Sequence, residues 1–202
     1  MPRLGIDHFA RFEIGGLKRN PKTVFSHRML GASDQALLQN SAELRVTAER
    51  SGQLIQTKVE VTNSRVGHYL PTDSPLRQVF LVVKATNEQG RSLSLEKGSI
   101  LSDWAGDLAG QPGIYFAKIL EDRWTGIAPT GTYWKPTRLV EDTRLPPLAT
   151  ATSLYTFTAI DQGKINIEVT LIYRRAYYEL MQQKGWDTPD IVMEHVITVV
   201  QP

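Results

Sequence analysis

Leu44-Arg45-Val46-Thr47-Ala48-Glu49-Arg50-Ser51-Gly52-Gln53-Leu54-Ile55-Gln56-Thr57-Lys58-Val59-Glu60-Val61-Thr62 decides the fold class. Its period is two. Leu44, Val46 and Ala48 alternate with Arg45, Thr47 and Glu49, and Ile55, Thr57, Val59 and Val61 alternate with Gln56, Lys58, Glu60 and Thr62. Successive side chains of a strand point to opposite faces, so each run has one face for a core and one for water. Ser51-Gly52 between the runs is a tight-turn signal, and the stretch predicts an antiparallel hairpin.

The same reading extends outward. Gln78 to Thr86 is apolar on both faces, with Val79, Leu81 and Val83 on one and Phe80 and Val82 on the other, as a central strand requires. Asn87-Glu88-Gln89-Gly90 ends it in a turn, and residues 91–96 return as a short strand. Ser153–Ile160 and Ile165–Tyr173 alternate again, and Asp161-Gln162-Gly163-Lys164 is expected to join them as a hairpin. Residues 174–184 switch to helical spacing, with Tyr173, Tyr177, Leu180, Met181 and Lys184 on one face and Gly185 as a C-terminal cap. A last strand runs from Val192 to Val200. Seven or more strands without βαβ alternation predict an all-β, antiparallel, immunoglobulin-like β-sandwich with one short helix near 174–184. Ile55, Val59, Val61, Leu81, Val83, Ile167, Val169 and Leu171 are its expected core.

Before the first strand the pattern changes. Gly5, Gly15, Gly16, Pro21 and Gly31 break any long period. Residues 1–40 therefore read as an extended basic arm, carrying net +4 over residues 1–28 within a chain of net +2, and residues 41–202 as the sandwich domain. A short helix with Ser33 as N-cap is expected to lead into the first strand. Residues 98–150 are rich in glycine and proline and hold Trp104, Trp124 and Trp134. A strand at Tyr115–Leu120 is expected there, within long ordered loops.

The 202 residues include no cysteine, which excludes disulfides, thiolate metal sites, a cysteine nucleophile and covalent c-type haem attachment within them. No run of 18 apolar residues predicts a transmembrane helix. The first thirty residues lack the apolar core of a signal peptide, so the chain reads as cytoplasmic or as a fragment. Dispersed basic residues with no accompanying motif argue against nucleic acid.

Few residues are spaced for catalysis. His8, His27, His68 and His195 show no zinc-binding spacing, and there is no nucleophile elbow or phosphate loop. Asp103 with Asp107, and Asp187 with Asp190, form oxygen-rich loops that do not match a calcium-binding loop and read as turn-capping aspartates. No enzyme activity is expected. Two loops are denser. Val61-Thr62-Asn63-Ser64-Arg65-Val66-Gly67-His68-Tyr69-Leu70-Pro71-Thr72-Asp73-Ser74-Pro75-Leu76-Arg77 lies between two strong strands, and Val140-Glu141-Asp142-Thr143-Arg144-Leu145-Pro146-Pro147 leads into the strand that holds Tyr155. Asp73 and Arg77, and Asp142 and Arg144, are expected ion pairs, with Asp73 or Asp142 pairing with Arg77 or Arg144 to tie the loops together. His68 is expected to be a structural hydrogen-bonding residue.

In order along the chain, Gly67–Arg77, Asp142–Pro147 followed by Tyr155-Thr156-Phe157, and Leu171-Ile172-Tyr173-Arg174 resemble the C-terminal β-domain of bacterial multihaem c-type cytochromes. Asp73 stands where that family has glycine. Met1-Pro2 and Ser26-His27 are similar to the segment that follows the last haem site. The resemblance implies a non-catalytic module of an electron-transfer cytochrome, periplasmic or extracellular. This chain would hold no cofactor of its own, and haem c would reside in a parent protein. His27, and less directly His8, would be axial haem ligands in that parent. The partner would be a haem domain of the same or a neighbouring polypeptide. Without it, the arm is expected to support a homo-oligomer, with His27 solvent-accessible. A reading of another class stays open: a stand-alone adhesion or ligand-binding sandwich for carbohydrate or peptide. It would use the aromatic loops at 98–140, through Trp104, Tyr115, Trp124, Tyr133 and Trp134.

Overall fold

The computed structural model describes residues 16, 31, 34–72, 74–132, 134–159 and 162–202. His8, His27 and the rest of the basic arm, with the expectations placed on them, lie outside these, as do Ser33, Asp73 and Tyr133. The residues from Ser33 to Pro202 form one unit.

That unit opens with helix α1 (Gln35–Gln39), whose N-cap is Asp34: its carboxylate accepts from the Leu37 amide at 3.0 Å. Among the described residues nine strands follow: β1 (Glu43–Ser51), β2 (Leu54–Thr62), β3 (Gln78–Asn87), β4 (Ser94–Lys97), β5 (Gly113–Asp122), β6 (Thr137–Asp142), β7 (Thr150–Thr158), β8 (Ile165–Arg174) and β9 (Ile191–Val200). A 3-10 helix (Asp103–Leu108) precedes β5, and helix α2 (Tyr178–Lys184) precedes β9 and ends at Gly185 in the left-handed region. Every strand pair is antiparallel. One sheet has the order β1-β2-β7-β4 and the other β6-β5-β3-β8-β9. This is the all-β sandwich that the period-two runs predict.

The hairpin of β1 and β2 keeps full register from Glu43↔Thr62 to Ser51↔Leu54, turning through Gly52 at φ 62°. All eight expected core residues are fully buried. Strand β3 is covered on both sides, which explains its continuous apolar run: its outer residues Phe80 and Val82 lie under Leu101 and Ala105, with Trp104, Leu108, Tyr115 and Ile172 packed around them.

Two expectations are corrected. Strands β7 and β8 do not form a hairpin; β7 pairs with β2 and β4, β8 with β3 and β9, and the chain crosses between sheets after Thr158. Alternation fixes which face is buried, but not which strand lies alongside. The middle segment also holds more structure than one strand. Strand β5 extends to Asp122, and β6 forms a sheet edge exposed along almost its whole length, so it carries no inward stripe for sequence reading to detect.

Candidate functional site

The two dense loops meet at one end of the sandwich. Leu70 and Leu145 exchange backbone hydrogen bonds in both directions, at 2.9 and 2.8 Å. Asn63, fully buried just past the end of β2, donates through Nδ2 to the carbonyls of His68 (2.8 Å) and Leu145 (3.0 Å). One amide side chain thus clamps both loops. Asn63 has no apolar or charged signature, so sequence reasoning gave it no role; its place one residue beyond a strand was the available signal.

Asp142 and Arg144 form the expected pair, with contacts of 2.8 and 2.6 Å. These bonds hold the Asp142 carboxyl below the ordinary carboxylate range and raise the Arg144 guanidinium above its own. The part of the expected tie that rests on Asp73 lies outside the described residues. Among the described residues the loops are joined by the Arg144 guanidinium, 5.0 Å from the centre of the Tyr69 ring, by the Leu70–Leu145 bridge and by Asn63. Arg77 donates to the Thr72 carbonyl at 3.4 Å. His68 has an exposed ring whose Nδ1 lies 2.9 Å from the Tyr69 carbonyl; its backbone oxygen is what Asn63 holds.

The two Asp pairs are rearranged by the fold. Arg174, the last residue of β8, is 2% exposed and lies between the rings of Phe80 and Tyr178. Its guanidinium donates to both oxygens of Asp190 (2.7–3.1 Å), to Asp107 (2.6 Å) and to the Ala105 carbonyl (2.6 Å). Burial opposes its charge, but the two carboxylates outweigh burial and its pKa is raised. Asp107 and Asp190 therefore serve an internal cation from two different loops. Among the described residues no cluster of three or more His, Asp or Glu is arranged to hold a metal ion.

The aromatic residues also divide. Trp104 packs 4.6 Å from Tyr115, edge to face, and 5.8 Å from Phe80. The Tyr115 hydroxyl donates to Glu141, and burial followed by that contact raises its pKa. These two rings belong to the cover of β3. Trp124 and Trp134 are instead exposed, and Trp186, outside the expected 98–140 range, joins Trp134 at a hollow of about 430 Å³ between the β5–β6 connection and α2.

No protein-family model matches the chain, and no curated protein does. Several solved structures resemble it, one of them with a TM-score of 0.65. This is a penta-heme cytochrome c552 from Thermochromatium tepidum, with 23% identity, covering 86% of this chain and 43% of that one. The likeness is one of fold, and this chain spans less than half of that cytochrome. Two further structures align with TM-scores of 0.31 and 0.30: a PapD-like domain of human CEP192, at 9% identity over 88% of this chain and 95% of that one, and a collagen-binding domain from a Staphylococcus aureus adhesin, at 7% over 79% and 97%.

Proposed function

We propose that the sandwich is a non-catalytic module of a multihaem electron-transfer cytochrome, packing against a haem domain outside the cytoplasm. The observation that carries the reading is the fold likeness to a penta-heme cytochrome of which this chain matches the lesser part. The ordered motifs support it. The two dense loops meet at Leu70 and Leu145, and Arg174, which closes the third motif, anchors the cover of β3. Each motif thus supplies contacts that hold the sandwich together, as a scaffold module requires. With no cysteine in its 202 residues, the chain has no covalent haem site of its own. His27 and His8 are the residues that would reach iron in a parent protein.

The test is to isolate the natural polypeptide that carries residues 34–202 from its host, using an antibody to the sandwich, and stain it for covalent haem. The expected result is a haem-positive species, either the same polypeptide or a stable complex, while residues 1–202 alone show no redox activity. A haem-free polypeptide that co-purifies with no haem protein would overturn the reading.

A further inference from the structure

The hollow between the β5–β6 connection and α2 is built as a binding site, and its construction does not depend on the cytochrome reading. Its floor is Leu76 and Tyr177. Gly131 lies so close above them that a Cβ there would fall 2.2 Å from the Leu76 side chain and 3.3 Å from the Tyr177 hydroxyl. Buried Asp122 holds both ends of the connection, accepting from the Trp124 amide at 2.9 Å and from Lys135 Nζ at 3.0 Å. The walls are therefore fixed before any ligand arrives, which removes an ordering cost from binding.

Two indoles flank the hollow and remain in water: Trp134 is 70% and Trp186 46% exposed. Glu179, Gln183 and Lys184 of α2 and Thr132 also line it. Beneath them the Tyr177 hydroxyl is buried with no hydrogen-bond partner among the described residues, and burial keeps it protonated as a donor. The volume, about 430 Å³, falls in the range of small-molecule sites.

The lining selects a chemical class. Its two carboxylates, Asp122 and Glu179, balance its two ammonium groups, Lys135 and Lys184, so no net charge is offered to a phosphate, a carboxylate or a cation. Flat aromatic walls favour a ligand with a flat apolar face, and the polar rim favours one with hydrogen-bonding edges. A wholly apolar ligand would strip water from Glu179, Gln183 and Lys184 without replacing it. A neutral pyranose ring combines C–H faces with hydroxyl edges. We infer that this hollow binds a neutral saccharide, with Trp134 and Trp186 stacking on the sugar and α2 supplying hydrogen bonds.

The test uses the whole 202-residue chain. Cellotriose, maltotriose, chitotriose and xylotriose are titrated to 20 mM while tryptophan fluorescence and saturation-transfer NMR are followed. The expected result is saturable binding of at least one of them, weakened about tenfold or more by Trp134→Ala and by Trp186→Ala, since losing one stacked indole with its buried area removes about 1.4 kcal/mol. Leu154→Ala, at an exposed position of β7 outside the lining, leaves binding unchanged. Trp134→Phe restores part of it, and thermal melts show all variants folded. Absence of binding by every probe, or binding that survives both Trp134→Ala and Trp186→Ala, would overturn the inference.

Discussion

Replacing Arg174 by Met tests whether a single cation anchors the cover of the second sheet. Methionine keeps most of the apolar stem between Phe80 and Tyr178 but removes every hydrogen bond to Asp190, Asp107 and Ala105. Removing one member of a buried ion pair costs about 3–5 kcal/mol when the other charge stays buried. Here the carboxylates can turn to water, since Asp107 is 57% and Asp190 24% exposed. The loss therefore falls mainly on the Ala105 carbonyl, within the 3-10 helix, at about 1–3 kcal/mol, and on the paired contact with Asp190. We expect about 2–4 kcal/mol in total. At about 2–4 °C per kcal/mol for a unit of this size, the melting temperature falls by roughly 4–16 °C. Asp107→Asn, at the exposed contact, should cost under about 1 kcal/mol. Denaturant melts give the energies, and hydrogen exchange at α2 and at residues 103–108 gives the location. If Arg174→Met melts within about 1 °C of the unaltered protein, or if its exchange rises elsewhere first, the guanidinium is not the anchor.

Three further outcomes follow from the same geometry. Asn63→Ala removes the donor to the His68 carbonyl and one of the two donors to the Leu145 carbonyl, so stability should fall by about 1–3 kcal/mol and exchange at the Leu70 and Leu145 amides should quicken. Gly113→Ala places a Cβ 2.1 Å from the Leu81 carbonyl, a backbone atom fixed by the pairing of β3 with β5, so a loss of about 1–3 kcal/mol is expected in urea melts. Asp142 titrates below the ordinary carboxylate range because Arg144 hydrogen-bonds its ionised form. Its contribution to stability is therefore complete above the unfolded pKa of about 4 and is lost as pH falls through its lower folded value. Asp142→Asn should accordingly flatten the acid limb of a stability profile measured between about pH 5 and pH 2.

The faces of the strands were legible because alternation is local: a residue's side of the sheet depends only on its parity, and Ile55, Val59, Leu81 and Val169 are buried as parity requires. The Asp142–Arg144 pair was legible for the same reason, being two residues apart. What parity leaves open is the neighbour. The turn after β7 has the composition of a hairpin, yet β7 pairs along its whole length with β2, in the sheet that does not hold β8, a choice made by packing across the chain. Strand β6 was hidden because, as an exposed edge, it buries almost nothing.

Partners distant in sequence were hidden more completely. Asp107 lies 67 residues from Arg174 and Asp190 lies 16 residues from it, so each looked like half of a local aspartate pair until the fold set one guanidinium between them. The binding hollow shows the same division. The tryptophans were visible as composition. Only the tertiary structure decided that Trp104, in the 3-10 helix, would be packed over Phe80 of β3 and that Trp186, from beyond α2, would share a pocket with Trp134. Residue type and parity are properties of the chain itself, whereas proximity between segments far apart in sequence comes into being only when the sheets pack.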